Sequence, residues 1–205
     1  MTRFFCKTLI LLILIPLHIN ASEFWNNIGR TIKINDFQKI KIGATQKFDN
    51  NELYVFEYKT EFNIKGIALK YTVLEEKSNA NWINEHRPSL AYTFKWKVNN
   101  ITISNKNQGE YRVRKTKEDS VRYRNKTTLN YKVSKFVTFN LDPYISNEIF
   151  YDGLENNINR NRVNIGLNLK KNTIKMNLFY GVDYNKSSDS WGFERSVIGT
   201  TFSFF

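Results

Sequence analysis

The 205-residue chain contains one cysteine, three prolines, nine glycines and two histidines. A single thiol, Cys6, excludes an internal disulfide framework and any cysteine-based metal site. So few prolines and glycines exclude collagen-like and low-complexity sequence. Beyond residue 21 no apolar run is long enough to cross a bilayer as a helix. That excludes a helical multi-span protein but not a β-barrel, whose strands are half polar. Acidic residues are scarce too: 19 Asp and Glu stand against 31 Lys and Arg, a net charge of +12. What is abundant is aromatic. Phe, Tyr and Trp make up 15% of the chain, which argues against disorder because such side chains need somewhere to pack.

Residues 1–21 read as an address. Arg3 and Lys7 form a basic start, Leu9 to Ile15 is unbroken apolar, and Ala21 offers a small residue for cleavage. The apolar run is short for a membrane anchor and fits a cleaved secretory signal peptide. Its loss lowers the charge by two, to +10, and takes away Cys6 and His18. The expected organisation is a signal peptide at 1–21 and a single domain at 22–205. A secreted domain of that size without disulfides needs another source of stability, and a closed barrel supplies one.

The rest of the chain alternates with a period of two, the pattern of strands. Ile174, Met176, Leu178, Tyr180, Val182 and Tyr184 fall on one face, opposite Lys175, Asn177, Gly181 and Asp183, with Phe179 as the exception. Val163, Ile165, Leu167 and Leu169 likewise oppose Arg162, Asn164, Asn168 and Lys170. Ten such segments are predicted, near 38–48, 52–63, 67–77, 84–98, 101–114, 120–133, 136–151, 160–170, 173–185 and 194–205. The segment 22–37 alternates less cleanly and its strand status is left open. Short turns are expected at 63–66, 99–100, 134–135 and 171–172, and longer polar loops at 76–84, 116–120, 152–159 and 186–192. Outer-membrane barrels alternate short turns with long loops in this way. The fold class expected is all-β: an antiparallel up-and-down transmembrane β-barrel of about 10–12 strands. An eleventh strand at 23–34 would conflict with an even count.

Periodicity does not say which face points outward. A soluble barrel would enclose its apolar face and could bind an apolar ligand; a membrane barrel reverses the faces. Strand length, aromatics near strand ends (Trp96, Tyr131, Tyr151, Tyr180, Tyr184) and the aromatic terminus Phe202-Ser203-Phe204-Phe205 favour the membrane.

Several motifs are distinctive: Glu23-Phe24-Trp25, Asn84-Glu85-His86-Arg87-Pro88, the run Leu141 to Tyr151 containing Pro143-Tyr144 and Glu148-Ile149-Phe150-Tyr151, and Asn161-Arg162-Val163-Asn164-Ile165-Gly166-Leu167. With the aromatic terminus, these resemble a family of uncharacterised bacterial outer-membrane proteins, the "domain of unknown function 2490" barrels. The resemblance implies an outer-membrane barrel and carries no activity with it.

Catalytic chemistry is hard to assemble. His86 is the one histidine left after residue 21, and it falls on the apolar face beside Pro88 and Leu90. A lipase-like or protease-like outer-membrane hydrolase would depend on it. Ser89 lies on the opposite face, however, and no Gly-x-Ser-x-Gly motif, phosphate loop or dinucleotide fingerprint is present. No enzyme activity, metal or cofactor is therefore expected. The polar face is richer. Its basic cluster is Arg87, Arg112, Arg114, Arg122, Arg124 and Arg162, with Glu85, Glu110, Asp142 and Glu148 as acidic partners. Facing a lumen, these charges either plug it with ion pairs or line a narrow anion-preferring passive channel. The expected location is the outer membrane of a Gram-negative bacterium. The expected partners are the lipid bilayer with its outer-membrane lipopolysaccharide, the outer-membrane barrel assembly machinery and small anionic solutes. Nucleic acid is not among them.

Overall fold

A computed structural model describes residues 21–50, 52–78, 81–115, 118–133, 140–187 and 190–205. The segment read as a signal peptide and the turn expected at 134–135 therefore lie outside the described residues, apart from Ala21. Eleven strands follow one another: β1 (Glu23–Lys33), β2 (Gln38–Asp49), β3 (Glu52–Ile64), β4 (Ile67–Ser78), β5 (Asn81–Val98), β6 (Ile101–Arg114), β7 (Ser120–Tyr131), β8 (Asn140–Asp152), β9 (Asn157–Lys171), β10 (Ile174–Ser187) and β11 (Ser190–Phe204). Each pairs with its neighbours in sequence, and β1 closes on β11 to complete a barrel.

The segment 23–34 is thus a full strand, and the even-number argument fails. An odd count makes the first and last strands run in the same direction. Glu23 to Arg30 accordingly pair in parallel with Val197 to Phe204, while every other pair is antiparallel. Parallel pairing is slightly weaker per residue, and side chains reinforce this seam. Asn27 Nδ2 donates to the Thr200 carbonyl at 2.9 Å, Thr200 Oγ1 donates to Asn26 Oδ1 at 3.0 Å, and Ser22 Oγ donates to the Ser196 carbonyl at 3.0 Å.

The long polar loops contract as well. β4 and β5 extend to Ser78 and from Asn81, β8 and β9 to Asp152 and from Asn157, and β10 and β11 to Ser187 and from Ser190. Their Asn, Ser and Asp residues read as loop because they favour turns; several instead sit inside strands or in tight hairpins, where Asn readily takes a left-handed backbone. Asn50, Asn99, Asn156 and Asn172 all have φ near +50°. At Lys65-Gly66 both residues have positive φ, as a two-residue primed turn requires. A Cβ on Gly66 would lie 3.0 Å from the Thr93 carbonyl oxygen. Gly66→Val should cost about 1–2 kcal/mol from the backbone alone, read as a lower urea midpoint for loss of the folded barrel.

The two faces differ sharply in polarity. Ile28, Leu69, Leu90 and Val121 are 56–60% exposed, whereas Glu85, Glu110 and Asp183 are 0–5% exposed. The apolar face points outward and the charged face lines the interior, so the interior is not an apolar ligand pocket. A few aromatics face inward. Phe179, the exception to alternation on β10, meets Trp25 edge-on at 6.3 Å inside the barrel.

Candidate functional site: the charged lumen

Inward positions on β5 to β8 bring arginines and carboxylates into one continuous chain. Arg87 Nε meets Glu85 Oε1 at 2.7 Å, and Glu85 also pairs with Arg112. Arg112 and Arg122 share Asp152, at 3.5 and 3.0 Å. Arg122 reaches Glu110 at 3.8 Å, a charge contact longer than a hydrogen bond. Arg124 bridges Glu110 at 3.3 Å and Glu148 at 2.6 Å. The chain holds four arginines and four carboxylates, so its net charge is zero.

A second chain spans β9, β10, β11 and β1. Arg162 grips Asp183 with two bonds, at 2.5 and 2.7 Å. Arg195 touches Asp183 at 3.3 Å, Glu23 at 2.5 Å and Glu194 at 3.1 Å, and Arg160 meets Glu194 at 3.4 Å. Three arginines and three carboxylates again cancel. Glu23 further accepts from Tyr54 Oη at 2.5 Å and Trp25 Nε1 at 2.7 Å. Guanidinium groups also lie over inward aromatic rings: Arg162 over Trp25 at 4.5 Å and Arg124 over Phe150 at 4.9 Å. Such stacking suits a planar, weakly hydrated cation better than an ammonium.

Not every residue singled out from the sequence joins these belts. Arg114 ends β6 opposite Glu85 in the register, but its guanidinium turns towards the β6–β7 loop, bonded to Ser120 Oγ at 3.1 Å and to the Glu118 carbonyl, and makes no ion pair with a belt carboxylate among the described residues. Asp142 lies near the start of β8 with no ion pair among the described residues, and its Oδ1 is buried without a hydrogen-bond partner. Asp152, Arg160, Asp183, Glu194, Arg195 and Glu23 belong to the belts but were not in the expected cluster. Asp183 shares the polar face of β10, a signal already in the sequence. Glu23 and Arg195 are 172 residues apart and meet only because the barrel closes.

The lysines are arranged differently. Lys41 pairs with Glu61, and Lys59 lies 3.2 Å from Glu57. Lys47, Lys70 and Lys126 have no carboxylate within ion-pair distance among the described residues, and all three line an internal cavity of about 520 Å³. Lys47 lies 4.5 Å from the centre of the Trp25 ring. With both arginine belts neutral, the positive excess at the cavity comes from the lysines that line it.

His86 is outside this site. It faces outward, with Nδ1 2.8 Å from Tyr71 Oη. Ser89 Oγ faces the lumen side and donates to the Lys70 carbonyl at 3.4 Å. The two do not form a nucleophile–base pair. Among the described residues no three His, Cys, Asp or Glu side chains are grouped to hold a metal, and no helix is long and apolar enough to cross a membrane.

The fold and its interior define a closed eleven-stranded β-barrel with an apolar exterior and a charged lumen. Residues 19–194 match the family described as "Protein of unknown function (DUF2490)", and the chain belongs to that family. No curated protein and no solved structure matches it. The motifs that carry the family resemblance converge on the lumen: Glu23, Trp25, Glu85, Arg87, Glu148, Phe150 and Arg162 all belong to the belts or stack on them.

Proposed function

We propose that the chain is an exported barrel of the bacterial outer membrane, non-enzymatic, whose lumen serves as a narrow, anion-preferring passive channel. The observation that carries the membrane reading is the inverted polarity: large apolar side chains exposed all round and carboxylates and arginines buried within. Only a lipid exterior makes that arrangement favourable, because in water it would expose the apolar face and bury the charge. The anion preference rests on Lys47, Lys70 and Lys126 facing a cavity without carboxylate partners. Rings of cationic side chains favour anions in a pore.

A second reading is a closed, purely structural barrel. The two arginine belts favour it, since paired side chains fill narrow barrels. Planar-bilayer recording separates the two. Ohmic, anion-selective steps from the refolded protein are expected for the channel, and electrical silence would leave the structural barrel. Cell fractionation tests the shared premise: the protein should stay with outer membranes and show heat-modifiable gel mobility, and extraction into buffer without detergent would overturn it. Loss of lipid or peptide hydrolysis in His86→Ala would overturn the non-enzymatic reading.

A further inference from the structure

The outward face is mostly apolar, apart from the β1–β11 seam around Asn26 and Thr200 and a broader stretch halfway along β6, β7 and β8. Two neighbouring register lines cross the wall there. One runs Phe94, Asn105, Thr127, Asn147; the next runs Tyr92, Asn107, Asn125, Ile149, Asn161. These positions alternate with the inward Gln108, Glu110 and Glu148, so their side chains lie on the exterior. The amides bond to one another. Asn105 Nδ2 donates to Asn125 Oδ1 at 3.1 Å and Thr127 Oγ1 at 2.9 Å, and Asn107 Nδ2 donates to Asn105 Oδ1 at 2.8 Å. Asn125 Nδ2 donates to Asn107 Oδ1 at 2.8 Å, and Asn147 Nδ2 to Asn161 Oδ1 at 2.7 Å.

This network is incomplete. The Thr127 hydroxyl proton and one N–H of Asn107 have no acceptor among the described residues, and Asn147 Oδ1 has no donor. At mid-height in a bilayer, acyl chains satisfy none of them, and unsatisfied polar groups in hydrocarbon are costly. We propose that the outer wall of β6–β8 is a lateral interface at which a second copy of this chain docks through its own amide patch. The proposal rests on the membrane reading above.

Three features select a second copy as the occupant. The unspent capacity includes both donors and acceptors, so the surface is complementary to itself. No charged side chain occupies an outward position on these strands, so a charged partner would find no counter-charge. Shape also agrees. An open groove of about 630 Å³ adjoins the patch, bordered by Leu90, Tyr111 and the bare backbone of Gly109. A two-fold axis along the membrane normal preserves height, as a closed symmetric dimer requires. It brings the mid-height amides of one copy against those of the other, and sets each groove opposite the β8 side of its partner.

The sequence contains no cysteine other than Cys6, which makes thiol cross-linking clean. Thr127→Cys on the patch and Ile165→Cys on the outward face of β9 would each be expressed as full chains and oxidised in native membranes. T127C should yield a disulfide-linked homodimer, with at least tenfold more cross-linked product than I165C. Asn105→Leu, Asn107→Leu and Asn125→Leu combined should weaken association in detergent at least tenfold, with heat-modifiable mobility retained. Equal cross-linking at both cysteines, or adducts of T127C only to a different protein, would overturn the interface. So would an unchanged association of the folded leucine variant. Recovery of the wild-type chain in the soluble fraction would instead overturn the membrane reading; a membrane-embedded, heat-modifiable chain that fails the cross-linking test loses only the interface.

Discussion

Asp183→Ala is expected to destabilise the folded barrel by about 3–5 kcal/mol, the usual cost of removing one partner from a buried ion pair. Asp183 is wholly buried and receives two bonds from Arg162 and one from Arg195. Without it, Arg195 keeps Glu23 and Glu194, but Arg162 keeps no ion pair, only the ring faces of Trp25 and Phe150. A ring quadrupole contributes far less to a desolvated guanidinium than a carboxylate does. The cost therefore falls on Arg162, and it should vanish largely when that charge goes too. The double variant Arg162→Met with Asp183→Leu replaces the pair by apolar side chains, a change that is often close to neutral. The measurement is the urea midpoint of the compact, heat-modifiable band for each variant. A D183A midpoint equal to wild type would show that this belt does not hold the barrel together. A double variant as weak as D183A would show that packing, rather than an orphaned charge, is responsible.

The belt also explains what could and could not be read from residues alone. Alternation identified the strands because the exterior and the lumen impose opposite polarity on successive side chains, and the same alternation separated Leu167 from Arg162 and Asn168. It could not assign the closing pair. Closure depends on the direction of β1, and the uneven pattern of 23–34 arises at the seam, where Asn26 and Asn27 bond to Thr200 from opposite faces of the strand. Nor could it separate arginine from lysine by role. Both fall on one polar face, yet the planar forks of Arg162 and Arg124 take carboxylates and ring faces, while Lys47, Lys70 and Lys126 face the cavity. That division depends on which side chains reach one another across three or four strands. Arg114 and Asp142 share the polar face yet join no ion pair among the described residues: Arg114 stands opposite Glu85 but turns its guanidinium to Ser120 and the Glu118 carbonyl, and Asp142 stands opposite Asn168. The outward asparagines break the alternation of polarity without breaking the strands, because the pleat fixes direction whatever the side chain.

The second large effect concerns selectivity. Lys47→Glu, Lys70→Glu and Lys126→Glu combined should convert the proposed anion preference of the lumen into a cation preference. The belts are neutral, so these lysines set the sign at the cavity, and three reversals change it by six charges. At about 8 Å and with water-like screening, each unit charge shifts the energy of a passing monovalent ion by about 0.5 kcal/mol. Six units amount to about 3 kcal/mol. Partial screening at 0.1 M salt, where the Debye length is about 10 Å, still leaves a fall of at least about tenfold in the anion-to-cation permeability ratio. The reversal potential in a potassium chloride gradient should therefore change sign. Raising the salt towards 1 M, where the Debye length is about 3 Å, should shrink the difference between variant and wild type. Neutralising belt carboxylates should act in the opposite sense. Glu85→Gln removes the anion shared by Arg87 and Arg112, frees positive charge beside the cavity and should raise the anion preference. A reversal potential unmoved by the lysine reversals would mean that ions do not pass the cavity. The conducting path, if any were recorded, would then lie elsewhere than between the two belts.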